Sequence, residues 1–376
     1  MLPVKDEFEL DARAYLDSAS VHPFSRSARR IVEDYARRRT MSPGIAAFDL
    51  SGTAERVRTK LAALINAEPE ELCLLQSTTA AEHLVLQALH MPLSGGRIVT
   101  DALHYPGSLY LYQSMARMGM DVAWLIPDDE GRIDIGDLEV AVSKKTRLVA
   151  LSMVSTVNGF EHDLKRVCTI AHNHGALVYA DIVQAAGAVP VDVRKSNVDF
   201  AACASYKWLM GDFGLGALYV RKDLLSRVRR TQFGPFQLRR IQTNFFPFNP
   251  PDLADLESRN DATGIFGMGT ISGSTLAQLD QSLDYIRQLG VERIRDYRQP
   301  LLDRARFELE QRGYRCVTPV DSRSPILTFV YPDVSRLTPR LDAAGVKITL
   351  VDNRFRISPS VFNDMGDIES LLAALP

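Results

Sequence analysis

A chain of 376 residues is longer than one hydrophobic core sustains, which predicts a large domain with a smaller one folded around it. An apolar share of 46% and a charged share of 24% exclude a disordered chain, and 44 Lys+Arg against 46 Asp+Glu leave a net charge of -2, giving no electrostatic case for nucleic acid or an anionic membrane as the main partner. No stretch has the apolar length of a membrane span, the start lacks the marks of a signal peptide, and Cys73, Cys168, Cys203 and Cys316 are scattered without metal-site or disulfide spacing, so the expectation is a cytoplasmic protein without metal whose cysteines are small core residues.

In chain order, residues 1–25 are expected to join the small domain or the active site. The run RSARRIVEDYARRR follows. It is basic, but Ile31, Val32 and Tyr35 are interleaved at helical spacing, which fits a helix with a solvated charged face better than a polyanion site. Between residues 72 and 220 short apolar runs alternate with amphipathic segments. Strands are predicted at 72–75, 97–100, 122–126, 148–154, 176–180, 200–204 and 216–220, with helices over AAEHLVLQAL, SLYLYQSMARM and LKRVCTIAHNHG. This alternation predicts an α/β domain: a mainly parallel sheet with helices on both faces.

Residues 231–253 mix Pro, Gly and five Phe without a period, the pattern of a long irregular connection packed near a site. The aromatic stretch from Phe233 to Phe248 reads either as an apolar wall for a substrate, with Arg239 or Arg240 nearby, or as packing between two subunits. Beyond it, a helical region at 276–313, strands at 326–331 and 355–357, and helices around Pro339 and Asp364 predict a small α+β domain. The expected division is 1–25, 26–275 and 276–376.

Three segments carry chemistry. In CASYKWLMGDFGLGALYV, Lys207 stands between Tyr206 and Trp208 after an apolar strand and before a Gly-rich turn. Desolvation there lowers the amine pKa, as a Schiff-base nucleophile requires, although a surface lysine with a buried stem fits the segment alone equally well. In ALVYADIVQAAG, Asp181 ends a buried strand, where ligands bind in open parallel sheets. A cationic partner such as a pyridinium nitrogen suits it, and so does a capping or metal-binding role. In LLQSTTAAEHLVL, a strand runs into a helix through Ser77, Thr78 and Thr79, either a phosphate cradle or ordinary helix capping.

With these three features in that order along one α/β domain, the sequence resembles the class V aminotransferase family of fold-type I pyridoxal phosphate (PLP) enzymes. Cysteine desulfurases, kynureninase-like lyases and isopenicillin epimerase-like proteins belong to it. The resemblance runs from YLDSAS to RFRISPSVFND and is most specific in YADIVQAAGAVPVDV and VDFAACASYKWLMGDFGLGALYV. It implies that Lys207 forms the Schiff base with PLP and later moves protons at Cα. It also implies that Asp181 pairs with the pyridine nitrogen, Gln184 lies against the phenolic oxygen, and Thr78, Thr79 and Ser205, beside Ser77, hold the phosphate. Tyr105 in LHYPGSLY, or the adjacent His104, would stack on the ring. Arg356 in RFRIS would grip the substrate carboxylate, although a surface salt bridge is the plainer role for such an arginine. Gly269 and Thr270 in FGMGTISGS would reach the cofactor of a neighbouring subunit, which implies a homodimer with shared sites.

The chain also departs from the family. Where many relatives have SNVxG this sequence has STVNG, so either Thr156 or Asn158 faces the cofactor or substrate, and Tyr206 stands where a His usually precedes the lysine. The cysteine that desulfurases carry shortly before the carboxylate arginine is absent, since no cysteine follows Cys316. Persulfide chemistry needs that thiolate, which disfavours a sulfur-donating desulfurase. The expected activity is therefore β-elimination of the C–S lyase type on a cysteine-derived or larger amino acid. Aminotransfer and epimerisation are the alternatives, and a non-catalytic regulatory protein is a remote one. A nucleotide-binding protein is disfavoured, because LLQSTTAA lacks the glycines of a dinucleotide or P-loop fingerprint.

Overall fold

A computed structural model of the chain describes residues 4–41, 48–91, 93, 95–239 and 257–376. Near the N-terminus β1 (Ala14–Tyr15) precedes helix α1 (Arg26–Met41), whose charged residues face outward and whose Ala28 is buried. Helix α2 (Leu50–Ile65) starts at Asp49, which accepts a hydrogen bond from the Gly52 N–H, and stops at Asn66 in the left-handed conformation.

An alternating run follows: β2 (Leu72–Leu75), α3 (Thr78–Ala88), β3 (Arg97–Asp101), α4 (Pro106–Arg117), β4 (Asp121–Leu125), α5 (Ile135–Ala141), β5 (Thr146–Ser152), α6 (Leu164–Asn173), β6 (Leu177–Asp181), α7 (Val193–Ser196), β7 (Phe200–Ala204) and β8 (Gly216–Val220). These strands form one seven-stranded sheet in the order β2-β8-β7-β6-β5-β3-β4, in which β8 alone runs against the others. Its residues alternate between two cores. Val99, Val149, Val178 and Ala180 face one side; Ile98, Leu148, Ala150 and Tyr179 face the other. Burial on both faces explains why these strands read as continuous apolar runs. Ser152 and Asp181 end β5 and β6 as register partners, so the carboxyl ends of the strands are where the sheet turns polar.

After α8 (Ala262–Phe266) the chain forms α9 (Gly273–Leu289), which packs on α1 and α2, and then α10 (Val291–Gln311). The single helical region expected over 276–313 is thus two helices, because Gly290 adopts a φ of 80° and breaks the first. The smaller unit comprises β9 (Arg315–Cys316), β10 (Leu327–Val330), α11 (Thr338–Ala344), β11 (Val346–Lys347), β12 (Thr349–Val351), β13 (Arg354–Ile357) and α12 (Met365–Ala374), with an antiparallel sheet in the order β12-β13-β10-β9. Phe329, Phe355 and Ile368 centre its core. Ala14 and Leu16 join that core, and β1 pairs in parallel with β11. Among the described residues no helix is long and apolar enough to cross a membrane. Arg240 and most of the Phe-rich stretch, residues 240–256, lie outside the described residues.

Candidate active site

A cavity of about 170 Å³ opens at the carboxyl ends of β5, β6 and β7. Ser77, Thr78 and Thr79 form one wall at the start of α3. The Ser77 hydroxyl caps that helix by accepting from the Ala80 N–H at 3.1 Å, and the first amides of the helix make it a seat for an anion.

Lys207, in the turn after β7, and Asp181, at the end of β6, line the same cavity. Burial brings the Lys207 amine down to about 8 from its ordinary 10.5, against the opposing pull of Asp181, while the Arg356 charge adds to the depression. Burial pushes the Asp181 carboxyl up, and His104, the Val183 N–H at 2.8 Å and Lys207 restrain it. A nucleophilic amine and a buried acid seeking a positive partner therefore face one space.

Tyr105 is 40% exposed and forms part of the cavity wall, its ring lying over Gly107, where an added Cβ would stand 2.6 Å from a ring carbon. His104 is completely buried behind it, with Nδ1 2.8 Å from the Ser152 hydroxyl. Thr156 lines the cavity, whereas Asn158 lies behind it: its amide donates to the carbonyls of Gly131 and Val317 and accepts from the Phe160 N–H. Gln184 also lines the cavity and is fixed at both ends, donating to the Ala19 carbonyl and Thr156 Oγ1 and accepting from the Trp208 indole at 2.7 Å. The Ser205 hydroxyl turns away from the cavity, between the carbonyls of Asp212 and Leu215, and the wall at that turn comes from Ala204 and Tyr206.

Arg356, on β13 of the smaller unit, reaches the same region. It donates to the Thr156 carbonyl and hydroxyl, to Ser20 Oγ at 2.7 Å and to Thr349 Oγ1 at 2.9 Å, and lies 3.6 Å from the Asp17 carboxylate. Its Nε is buried and, among the described residues, has no hydrogen-bond partner. Burial lowers its pKa. Gly269 and Thr270 are exposed and stand away from this cavity, Gly269 lining a separate one of about 130 Å³ with Arg58 and Phe236. Arg239 pairs with Glu257 at 3.2 Å.

The structure adds participants that sequence reasoning did not single out. Phe213 lines the cavity mouth, stacked on Tyr206 with ring centroids 4.4 Å apart. Asp17, Ser20 and Thr349 surround Arg356, and only the YLDSAS run hinted at the first two. The arrangement suits PLP: an anion seat at a helix start, an aromatic wall, a buried carboxylate for a ring nitrogen and a depressed lysine for a carbonyl.

Comparison with known proteins gives the following. The family model described as Aminotransferase class-V matches residues 15–349. A Halobacterium salinarum protein named "Probable cysteine desulfurase" is 26% identical over 96% of this chain and 90% of its own length. The structure of a cysteine desulfurase from Escherichia coli matches with a TM-score of 0.84 at 23% identity, covering 98% of this chain and 96% of that one. A cystine C-S lyase, solved with its product cysteine persulfide, matches with a TM-score of 0.82 at 22% identity over 96% of this chain and 97% of that one.

Proposed function

The chain belongs to the aminotransferase class-V family and is a PLP-dependent enzyme, and from that premise we propose that it carries out β-elimination of the C–S lyase type on a cysteine-derived amino acid held by Arg356. The observation that carries this reading is where the sulfur atoms stand. All four cysteines lie outside the cavity, and burial pushes the thiols of Cys73, Cys168 and Cys203 up to about 12 and raises that of Cys316. Sulfur leaving a substrate here meets no thiolate of this chain to receive it, so it departs with the leaving group. The relative named as a cystine C-S lyase favours the same choice.

When bound, PLP supplies a carbonyl for the substrate amine and a ring that takes up the electron pair left at Cα. The protein's own residues do the rest. Ser77, Thr78, Thr79 and the first amides of α3 would hold the phosphate, and Tyr105 would cover one face of the ring. Asp181 would keep a proton on the ring nitrogen. Thr156 Oγ1 accepts from Arg356 and Gln184, which leaves its own hydrogen for an oxygen in the cavity. The Arg356 guanidinium, its Nε without a partner among the described residues, orients the substrate carboxylate. Lys207 Nζ takes the Cα proton, a task its lowered pKa suits near neutral pH. Gly269 and Thr270, exposed in one chain, serve the phosphate seat of a second copy in a homodimer.

Product analysis of the PLP-loaded protein tests this. Cystine or an S-substituted cysteine should yield pyruvate and ammonia, and Lys207→Ala should yield neither. Alanine from cysteine, or a keto acid formed only when a second keto acid is supplied, would overturn the elimination in favour of desulfuration or aminotransfer.

A further inference from the structure

A buried polar cluster lies behind the cavity, on the α3 and α4 side of the sheet, and its carboxylate, Glu82, has no part in the chemistry described so far. Glu82 lies one turn inside α3 and is 4% exposed. Its carboxylate accepts from Ser108 Oγ at 2.6 Å and Tyr112 Oη at 2.7 Å, and the same oxygen that takes the Tyr112 bond lies 3.5 Å from His104 Nε2. On the other side of the imidazole, the Tyr105 N–H donates to Nδ1 at 2.8 Å, and Ser152 Oγ is also 2.8 Å from it. Tyr105 and Ser152 both line the cavity, and Ser152 is the register partner of Asp181. One residue, His104, thus separates a buried carboxylate from the cavity wall.

A backbone N–H only donates, so the Tyr105 contact requires a bare Nδ1, and the ring hydrogen of a neutral imidazole then sits on Nε2, facing Glu82. The Glu82 carboxylate, 3.5 Å from Nε2, favours this tautomer through its charge rather than through a formed hydrogen bond. A carboxylate withdrawn from water is costly unless donors surround it, and here the hydrogen-bond donors are Ser108 and Tyr112, while His104 Nε2 stands 3.5 Å off and, among the described residues, makes no hydrogen bond. An apolar side chain would fill the same space without that cost, so packing alone does not account for Glu82.

We propose that Glu82 and His104 are positioning residues for the cofactor: Glu82 fixes the imidazole tautomer, and His104 Nδ1 then pins the Tyr105 backbone and the Ser152 hydroxyl so that the Tyr105 ring is held over the PLP ring. This rests on the reading of Lys207 and Tyr105 given above. Of the other acids that act on the imidazole, Asp101 is occupied by His162 at 3.1 Å and by the Leu103 N–H at 2.7 Å, and Asp181 accepts from the Val183 N–H at 2.8 Å.

The test is made on purified protein loaded with PLP, reading the dissociation constant for PLP and the visible circular dichroism of the bound cofactor, which reports how the ring is held. Glu82→Leu is expected to weaken PLP binding roughly tenfold and to reduce the visible dichroism, as the loss of a buried hydrogen-bonded acceptor implies. Glu82→Gln, which keeps an acceptor oxygen, should stay close to wild type. In a Tyr105→Ala background, Glu82→Leu should add little further loss, because it acts through that ring. Full additivity would overturn the positioning role and leave general packing in its place. Should Glu82→Leu fail to fold, Glu82→Met carries the test: it removes the carboxylate at similar size, so affinity and dichroism should fall as for Glu82→Leu, and their persistence in the folded variant overturns the proposal. A wild-type protein without a borohydride-reducible visible band overturns this inference together with the cofactor reading. Glu82→Leu protein indistinguishable from a wild type that has the band overturns the positioning role alone.

Discussion

Lys207 carries a stability cost as well as a reaction. Its pKa falls from 10.5 to about 8 on folding. Below pH 8 the amine is charged in both folded and unfolded chains, so the folded state bears the whole penalty, about 3 kcal/mol; above 10.5 it is neutral in both and the penalty vanishes. Cofactor-free protein should therefore gain stability as pH rises from about 8 to 10.5. Lys207→Met should be the more stable protein at pH 7 by urea denaturation, and equal stability there would contradict the buried amine. Arg356→Lys, which loses the planar fork, should raise KM for the amino acid roughly tenfold while the visible band of bound PLP remains. Lys207 and Asp181 are legible in the sequence because each is a polar residue abutting an apolar strand. Glu82 is not: AAEHLVL reads as an ordinary helix with a solvated Glu, and the burial comes from α4 packing across it. The choice between His104 and Tyr105 is likewise a matter of which way two neighbouring residues turn at the start of α4, and periodicity does not encode that.

At the scale of elements, the start of α3 is both a helix cap and an anion seat. Ser77→Ala should cost about 1 kcal/mol through the lost bond to the Ala80 N–H, and should weaken PLP binding more than it lowers Tm, since a pure cap would affect stability alone. Gly187, after β6, has a φ of 89°, and a Cβ there would lie 2.4 Å from the Trp208 carbonyl oxygen, immediately beyond Lys207. Gly187→Ala should displace that turn, visible as loss of the borohydride-reducible band in protein that still folds. The alternation of strands and helices from 72 to 220 was readable because the sheet is covered on both faces. The apolar runs do not encode the reversal of β8, whose cause is the connection after β7: a turn carrying Lys207 rather than a crossover helix, so the chain must return antiparallel. The break at Gly290 is hidden in the sequence because the apolar spacing continues through it, and the positive φ of one glycine is what ends α9.

For the whole molecule, sedimentation should give twice the monomer mass if Gly269 and Thr270 complete a neighbour's site, and a folded monomer with full PLP affinity would remove that part of the proposal. The two units are tied together by the segment around β1, which contributes Ala14 and Leu16 to the small core and Asp17 and Ser20 to the surroundings of Arg356. Removing residues 1–20 should therefore raise KM more than it diminishes the visible PLP band. Sequence reasoning expected the early segment to join the small domain or the site, but its partners lie so far along the chain that no local pattern names them. That separation also bears on synthesis. Ser20 and Arg356 are 336 residues apart, so the arginine's surroundings are incomplete until almost the whole chain has left the ribosome. The sheet that carries Lys207 and Asp181 ends at Val220 and can assemble well before that point. The strands beside Lys207 and Asp181 are thus synthesised well before the arginine that would hold a substrate.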